Sequence, residues 1–269
     1  MPGSPLPRTN TSTHIDLQRP QGYWRLSMTP LHILCFLLPL ILVYEFGSLW
    51  YLQDATGAMR TVGARRLLVR FFDIFGATSF HLPAITLVVV LLIWHVLNRD
   101  SWRVHPRVLL GMALESCVLV LPLLVLGLIL YGRQQGSGLA AIALQQSVAD
   151  LRTAPWQERL TLSIGAGLYE ELVFRLVMIT ALHALLCDLF RLPRSTSAFF
   201  ACLISAVAFA LYHDVSLTGL KSGRDIFTAL FFTAAGMYFG ALFLFRGFGI
   251  VVATHALYDI VVLVIIARQ

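Results

Sequence analysis

Three short segments of this chain place ionisable side chains at helical spacing inside long apolar stretches. They read "EELVFR" at 170–175, "FALYH" at 209–213 and "HALYD" at 255–259. Charged and titratable residues are rare inside membrane-spanning segments, and by default they mark a functional site. The candidates for chemistry are Glu170, Glu171, Arg175, His213, His255 and Asp259.

The two adjacent glutamates of the first segment have different partners if the segment is a helix. Glu171 and Arg175 are four residues apart, so they lie on one face about 6 Å apart along the axis. This is the spacing of an i,i+4 ion pair with the acid on its favoured N-terminal side. Glu170 is turned about 100° away. We therefore expect Glu171 and Arg175 to form a supporting ion pair and Glu170 to be a free carboxylate.

A free carboxylate, two histidines and a second carboxyl group, brought together from three helices, suit one reaction. We expect Glu170 to act as a general base on a water molecule that His213 shares. His255 and Asp259 are four residues apart on one helical face. There they would polarise a carbonyl group or stabilise the oxyanion that forms on it. These functions together amount to hydrolysis of a peptide bond inside a membrane-enclosed cavity.

The elements that position these residues are expected to be membrane helices. Of 269 residues, 58% are hydrophobic and 13% are charged, whereas soluble domains have roughly 45–50% apolar and about 25% charged residues. No segment alternates apolar and polar residues as a barrel strand does. We predict an all-α, polytopic membrane bundle of about seven transmembrane helices with a membrane-embedded polar cavity. The predicted spans are 30–52, 80–98, 108–131, 163–187, 195–213, 227–245 and 250–267.

The chain divides into three parts by composition. Residues 1–29 form a polar tail, and no cleavage site typical of a removable signal peptide follows. Residues 30–150 hold the first transmembrane helices, and residues 151–269 hold all three motifs and form the catalytic domain. Within the second part, "MRTVGARRLLVRFFDIF" at 59–75 mixes four arginines with aliphatic and aromatic residues. It is either an amphipathic helix lying on the membrane surface or a solvated connector.

The charge and cysteine patterns limit the partners of the protein. The net charge is +6, and Lys221 is the only lysine. Such use of arginine is typical of a GC-rich bacterial genome, so we expect a multi-pass protein of the bacterial inner membrane. The arginines are spread over nearly every loop, which argues against nucleic-acid binding. We expect the lipid bilayer and a membrane-associated protein or peptide substrate as partners. The sequence does not indicate the oligomeric state. The four cysteines lack metal-binding spacing.

The three motifs, in this order and on separate hydrophobic segments, resemble those of the CPBP or Abi family of intramembrane proteases. That family includes the eukaryotic CAAX-prenyl endopeptidases. Its motifs are a double Glu with Arg four residues after the second, then Phe-x-x-x-His, then His-x-x-x-Asn or Asp. The match covers roughly residues 160–267. The resemblance implies a glutamate endopeptidase that needs no metal or other cofactor.

The resemblance also implies a function for each matched position. Glu170 would be the catalytic base, His213 would assist it, and His255 with Asp259 would form the oxyanion site. Position 259 is Asp where the CAAX endopeptidases have Asn. An ionised Asp cannot donate a hydrogen bond. Asp259 would therefore act either in its protonated form, as a donor to the oxyanion, or in its ionised form, by orienting His255.

Two other functions are consistent with the same residues. A zinc protease could use His213, His255 and a carboxylate as ligands, although the chain has no HExxH motif and the ligand set is thin. A non-enzymatic immunity or transport protein could use the buried charges as a scaffold or a proton relay. Against it, the chain has no paired set of interrupted helices in two halves.

Overall fold

All regular secondary structure in the described part of the chain is helical, as the sequence predicts. The computed structural model describes residues 22–53, 60–135, 154–213 and 223–266. The helices are α1 Tyr23–Leu26, α2 Pro30–Tyr51, α3 Gly63–Ile74, α4 Leu82–Asn98, α5 Pro106–Leu119, α6 Leu121–Gln135, α7 Trp156–Glu171, α8 Thr180–Asp188, α9 Arg194–Tyr212, α10 Gly223–Arg246 and α11 Phe248–Asp259. Two π-helical segments, Leu172–Ile179 and Ile260–Ile265, continue α7 and α11.

Five of the described helical stretches are apolar and long enough to cross a bilayer. They are Pro30–Tyr51, Pro106–Leu130, Arg194–Tyr212, Ile226–Arg246 and Phe248–Ile265. Each coincides with a predicted span, so the prediction of a helical membrane bundle is confirmed.

The count of seven spans stays a prediction, because the two remaining segments lie at the limits of what crosses a membrane. One of them, α4, is apolar but has only 17 residues, and a span needs roughly 17–25. The other runs through 163–187, where Glu170, Glu171 and Arg175 interrupt the apolar sequence.

Small residues let the helices that carry the motifs approach each other closely. A Cβ atom on Gly167 of α7 would lie 2.8 Å from the carbonyl oxygen of Val252 on α11. A Cβ atom on Gly236 of α10 would likewise lie 2.8 Å from the Cα atom of Ala206 on α9. Small interfacial residues are typical of helix packing in membranes. Glu171 lies one turn beyond Gly167, so this contact brings the paired glutamates against the face of α11 that carries the third motif.

The segment 59–75 contains an amphipathic helix, α3. Its buried side includes Arg65, whose guanidinium lies 3.4 Å from the centre of the Phe80 ring and 3.9 Å from the Glu45 carboxylate. The opposite side exposes an apolar stripe made of Leu67, Phe71, Ile74 and Phe75. Of the two interpretations of this segment, the stripe favours a helix lying on the membrane surface over a solvated connector.

Candidate active site

The three motifs converge on the Glu170 carboxylate. Its Oε2 atom lies 3.6 Å from Nε2 of His213 and 3.9 Å from Nε2 of His255. The three side chains are 6%, 14% and 4% exposed, respectively. These separations exceed those of direct hydrogen bonds but place all three atoms within reach of one water molecule.

The orientation of His213 is fixed from both sides. Its Nδ1 atom lies 2.9 Å from the backbone carbonyl of Phe209, four residues earlier in α9. A carbonyl oxygen only accepts, so Nδ1 carries a proton and donates it, and Nε2 faces Glu170. The imidazole stacks on Phe232 with ring centres 4.3 Å apart. In the neutral imidazole, Nε2 is therefore an acceptor directed at the same place as Glu170 Oε2.

Glu171 contacts an arginine and a histidine in the protein interior. Its Oε2 atom lies 3.1 Å from Nε of Arg175, the ion pair that the spacing predicts. Its Oε1 atom lies 2.7 Å from Nδ1 of His255, a contact that the sequence does not predict. Glu171 and Arg175 are 0% exposed and His255 4%. By holding Nδ1 of His255, Glu171 directs Nε2 of the same ring toward Glu170 and Asp259.

The Arg175 side chain links the wall of the site to the ion pair. Its guanidinium carbon lies 4.4 Å from the centre of the Phe209 ring and 5.4 Å from that of Phe239. Phe239 in turn stacks on His255, with ring centres 4.6 Å apart. Arg175 therefore connects the π-helical segment after α7 with α9 and α10, and its two aromatic contacts also pack around His213 and His255.

Asp259 lies at the edge of this site. Its Oδ2 atom is 3.7 Å from Nε2 of His255, on the same face of α11. A cavity of about 10 Å³ lies between His213, His255 and Asp259, roughly the room that one water molecule needs. The rest of its wall is largely aromatic: Phe209, Phe231, Phe232, Phe239 and Tyr258. Polar side chains of the second and third motifs thus line a small, largely apolar enclosure.

Sequence spacing could not reveal two further features of the site. Glu171 and His255 are 84 positions apart, so no short pattern connects them. Tyr212 precedes His213 in the second motif, and its hydroxyl accepts a hydrogen bond from the backbone N–H of Ala64 at 2.8 Å. Only the packing of the helices against one another reveals either contact.

Within residues 22–53, 60–135, 154–213 and 223–266, no group of three or more His, Cys, Asp or Glu side chains is arranged so that it could hold a metal ion.

The five apolar helices that are long enough to cross a bilayer define an integral membrane protein. Residues 153–261 match the family model described as Type II CAAX prenyl endopeptidase Rce1-like. This region contains all three motifs, so the resemblance to the CPBP proteases is confirmed for it. Comparison with curated proteins and with solved structures found no match.

Proposed function

We propose that this protein is an intramembrane glutamate endopeptidase in which Glu170 activates a water molecule for attack on a peptide bond. The observation that carries the proposal is the convergence of Glu170 Oε2 with the Nε2 atoms of His213 and His255, at 3.6 and 3.9 Å. The neighbouring cavity has room for roughly one water molecule. A single water held among these atoms is what a hydrolytic reaction requires.

In the proposed reaction, Glu170 and His213 orient the water from two sides. Glu170 Oε2 removes one proton, while His213 Nε2 accepts a hydrogen bond from the other O–H group. The water oxygen forms a bond to the carbonyl carbon, and the π electrons of the C=O bond move to the carbonyl oxygen. Positioned general bases of this kind contribute about 10²–10⁴-fold to the rate.

The second half of the reaction uses His255 and returns the proton. With Nδ1–H donated to the ionised Glu171, a second proton on Nε2 makes His255 a cationic donor to the oxyanion. As the oxyanion collapses, the C–N bond breaks, and Glu170 gives its proton to the leaving nitrogen. The products are a carboxylic acid and an amine, and Glu170 is again ionised.

Because membrane helices carry the site, we expect its substrate to lie within or next to the bilayer. A membrane-associated protein or peptide in the bacterial inner membrane is the partner that this location favours. The apolar stripe of α3 supports a direct contact with the lipid surface.

The proposal is tested by comparing the membrane peptides of cells that carry the wild type or Glu170→Ala. A peptide that accumulates uncut in the variant is the expected result, and it then serves as substrate for the purified protein. Glu158→Gln is the control on the same helix, because Glu158 pairs with the half-exposed Arg60 at 3.0 Å, outside the site. Cleavage that a chelator abolishes and added Zn²⁺ restores would contradict the metal-free mechanism.

For Asp259 we expect that the Asn variant remains active and keeps its activity at alkaline pH. Glu171 already holds the His255 ring at Nδ1, so Asp259 is not needed to orient it, and the protonated carboxyl is left as an oxyanion donor. An amide donates at any pH, whereas a carboxylic acid donates only while it is protonated. The measurement is the pH dependence of peptide cleavage by the wild type and Asp259→Asn.

The matched control for this prediction is Asp259→Ala. It removes the donor altogether and is expected to lower kcat about 10²–10³-fold. A well-folded but inactive Asn variant would show that Asp259 works in its ionised form, by holding His255.

A further inference from the structure

Ser205, a buried serine of α9, donates its hydroxyl to another helix. Its Oγ atom lies 2.7 Å from the backbone carbonyl oxygen of Phe174, which belongs to the π-helical segment that begins directly after Glu171. The residue is 1% exposed. A carbonyl oxygen has two lone pairs, so this bond does not compete with the hydrogen bonds of the π-helix. It ties α9 to the segment that follows the paired glutamates.

The partner of this hydroxyl is not the usual one for a serine inside a helix. Such hydroxyls commonly bond back to the carbonyl four residues earlier in their own helix. Ser116 and Ser163, both 0% exposed, do so at 2.8 Å. The partner of Ser205 lies 31 positions away along the chain. The bond of Ser205 therefore acts between helices, whereas those of the other two serines act within one.

The same side of α9 leads to the histidine of the site. Ser205, Phe209 and His213 follow one another at intervals of four residues, so they lie along one face. The Phe209 ring contacts the Phe174 ring, with centres 5.4 Å apart, and its carbonyl accepts the Nδ1–H of His213. Nε2 of His213 then faces Glu170 Oε2 at 3.6 Å. A slide of α9 along the π-helical segment would change this distance directly.

We propose that Ser205 is a positioning residue for the reaction: its bond to the Phe174 carbonyl fixes α9 along the π-helical segment and so sets the gap between His213 and Glu170. The inference rests on the proposed functions of these last two residues. Contacts between aromatic rings permit small sliding movements, whereas a hydrogen bond of 2.7 Å joins two particular atoms. The bond therefore selects one axial position of α9.

The first variant to test is Ser205→Ala, which removes the hydroxyl and keeps the helix. Hydrogen bonds between membrane helices contribute little to stability on average, so the melting temperature in detergent should stay close to that of the wild type. A displacement of about 1 Å can lower a rate about 10²-fold. We therefore expect kcat to fall about tenfold to a hundredfold, with little change in KM. The matched control, Ser116→Ala, removes the same atom from a bond inside one helix and should keep its kcat.

A double variant tests whether the loss of kcat comes from the position of His213. In the His213→Ala background no imidazole remains to be misplaced, so adding Ser205→Ala should not lower kcat further. Two independent structural defects would instead multiply their effects. The measurement is kcat of the wild type, the two single variants and the double variant. An equal fold-loss from Ser205→Ala in both backgrounds contradicts the inference.

The outcomes separate this inference from the proposed function. An active Glu170→Gln would overturn the proposed function itself. Ser205→Ala with wild-type kcat, beside an inactive Glu170→Gln, would overturn the positioning function alone. If Ser205→Ala does not fold, Ser205→Cys decides, because a thiol has a similar shape and is only a weak donor. A folded Cys variant with wild-type kcat, or the failure of both variants to fold, is evidence against the inference.

Discussion

The Glu170→Gln variant is expected to lose peptide cleavage by a factor of about 10²–10⁴ or more and to remain folded. The amide has the shape of the carboxylate but cannot accept the proton of the water. The side chain is 6% exposed. No arginine lies three or four residues from Glu170 along the helix, so the substitution does not leave a buried arginine without its partner. The rate of cleavage of one peptide, measured on purified protein, gives the first half of this prediction.

Thermal unfolding in detergent tests whether the Glu170→Gln variant remains folded. Glu170→Gln should melt close to the wild type, as should the control Glu158→Gln, which should also keep its activity. A Glu170→Gln protein that is inactive only because it is unfolded would not support a catalytic function for this residue.

The Glu171→Gln variant is expected to show the opposite pattern, a loss of folded protein. Arg175 is 0% exposed and would remain in the interior without its carboxylate, as would Nδ1 of His255. Removing one member of a buried ion pair costs roughly 3–5 kcal/mol. The melting temperature in detergent and the yield of folded protein are the measurements.

A double variant tests whether the loss comes from the stranded charge. Replacing both members of a buried pair by apolar side chains is often close to neutral. Glu171→Leu combined with Arg175→Met should therefore recover part of the stability, although His255 still lacks its partner. Equal melting of Glu170→Gln and Glu171→Gln would contradict the division between a free glutamate and a supporting one.

Local spacing was sufficient to predict the parts of the site that lie on one helix. The i,i+4 rule gives the pair of Glu171 and Arg175, and helical rotation separates Glu170 from it. The apolar composition fixes the fold class, because a bilayer requires that every backbone group be paired within the segment or with a neighbouring strand. The order of the motifs then indicates which helices must meet.

Contacts between distant segments could not be derived in this way. The bond between Tyr212 and Ala64 joins positions 148 apart, and it depends on the place where α3 packs against α9. The π-helical segments begin directly after Glu171 and Asp259. Hydropathy does not distinguish a π-helix from an α-helix, since both are apolar here. The number of spans also depends on whether the short helix α4 and the charged helix through 163–187 cross the bilayer. Amino-acid composition alone does not determine this.

The double contact of Glu171 has a consequence for how this sequence can change over generations. One carboxylate serves both Arg175, which links α7 to its neighbours, and His255, which belongs to the proposed reaction. Losing the glutamate leaves Arg175 and Nδ1 of His255 without their shared acceptor, and losing Arg175 leaves the glutamate with one of its two partners.

Replacing Glu171 first leaves Arg175 as a buried charge without its carboxylate, and replacing Arg175 first leaves Glu171 with His255 as its one partner of the two. Substitutions at any of these three positions are therefore expected to be selected against, even though only His255 is proposed to act on the substrate. A deep mutational scan should show Arg175 to be as intolerant of substitution as His255. Pairs of substitutions at 171 and 175 should be tolerated for folding more often than their single effects predict.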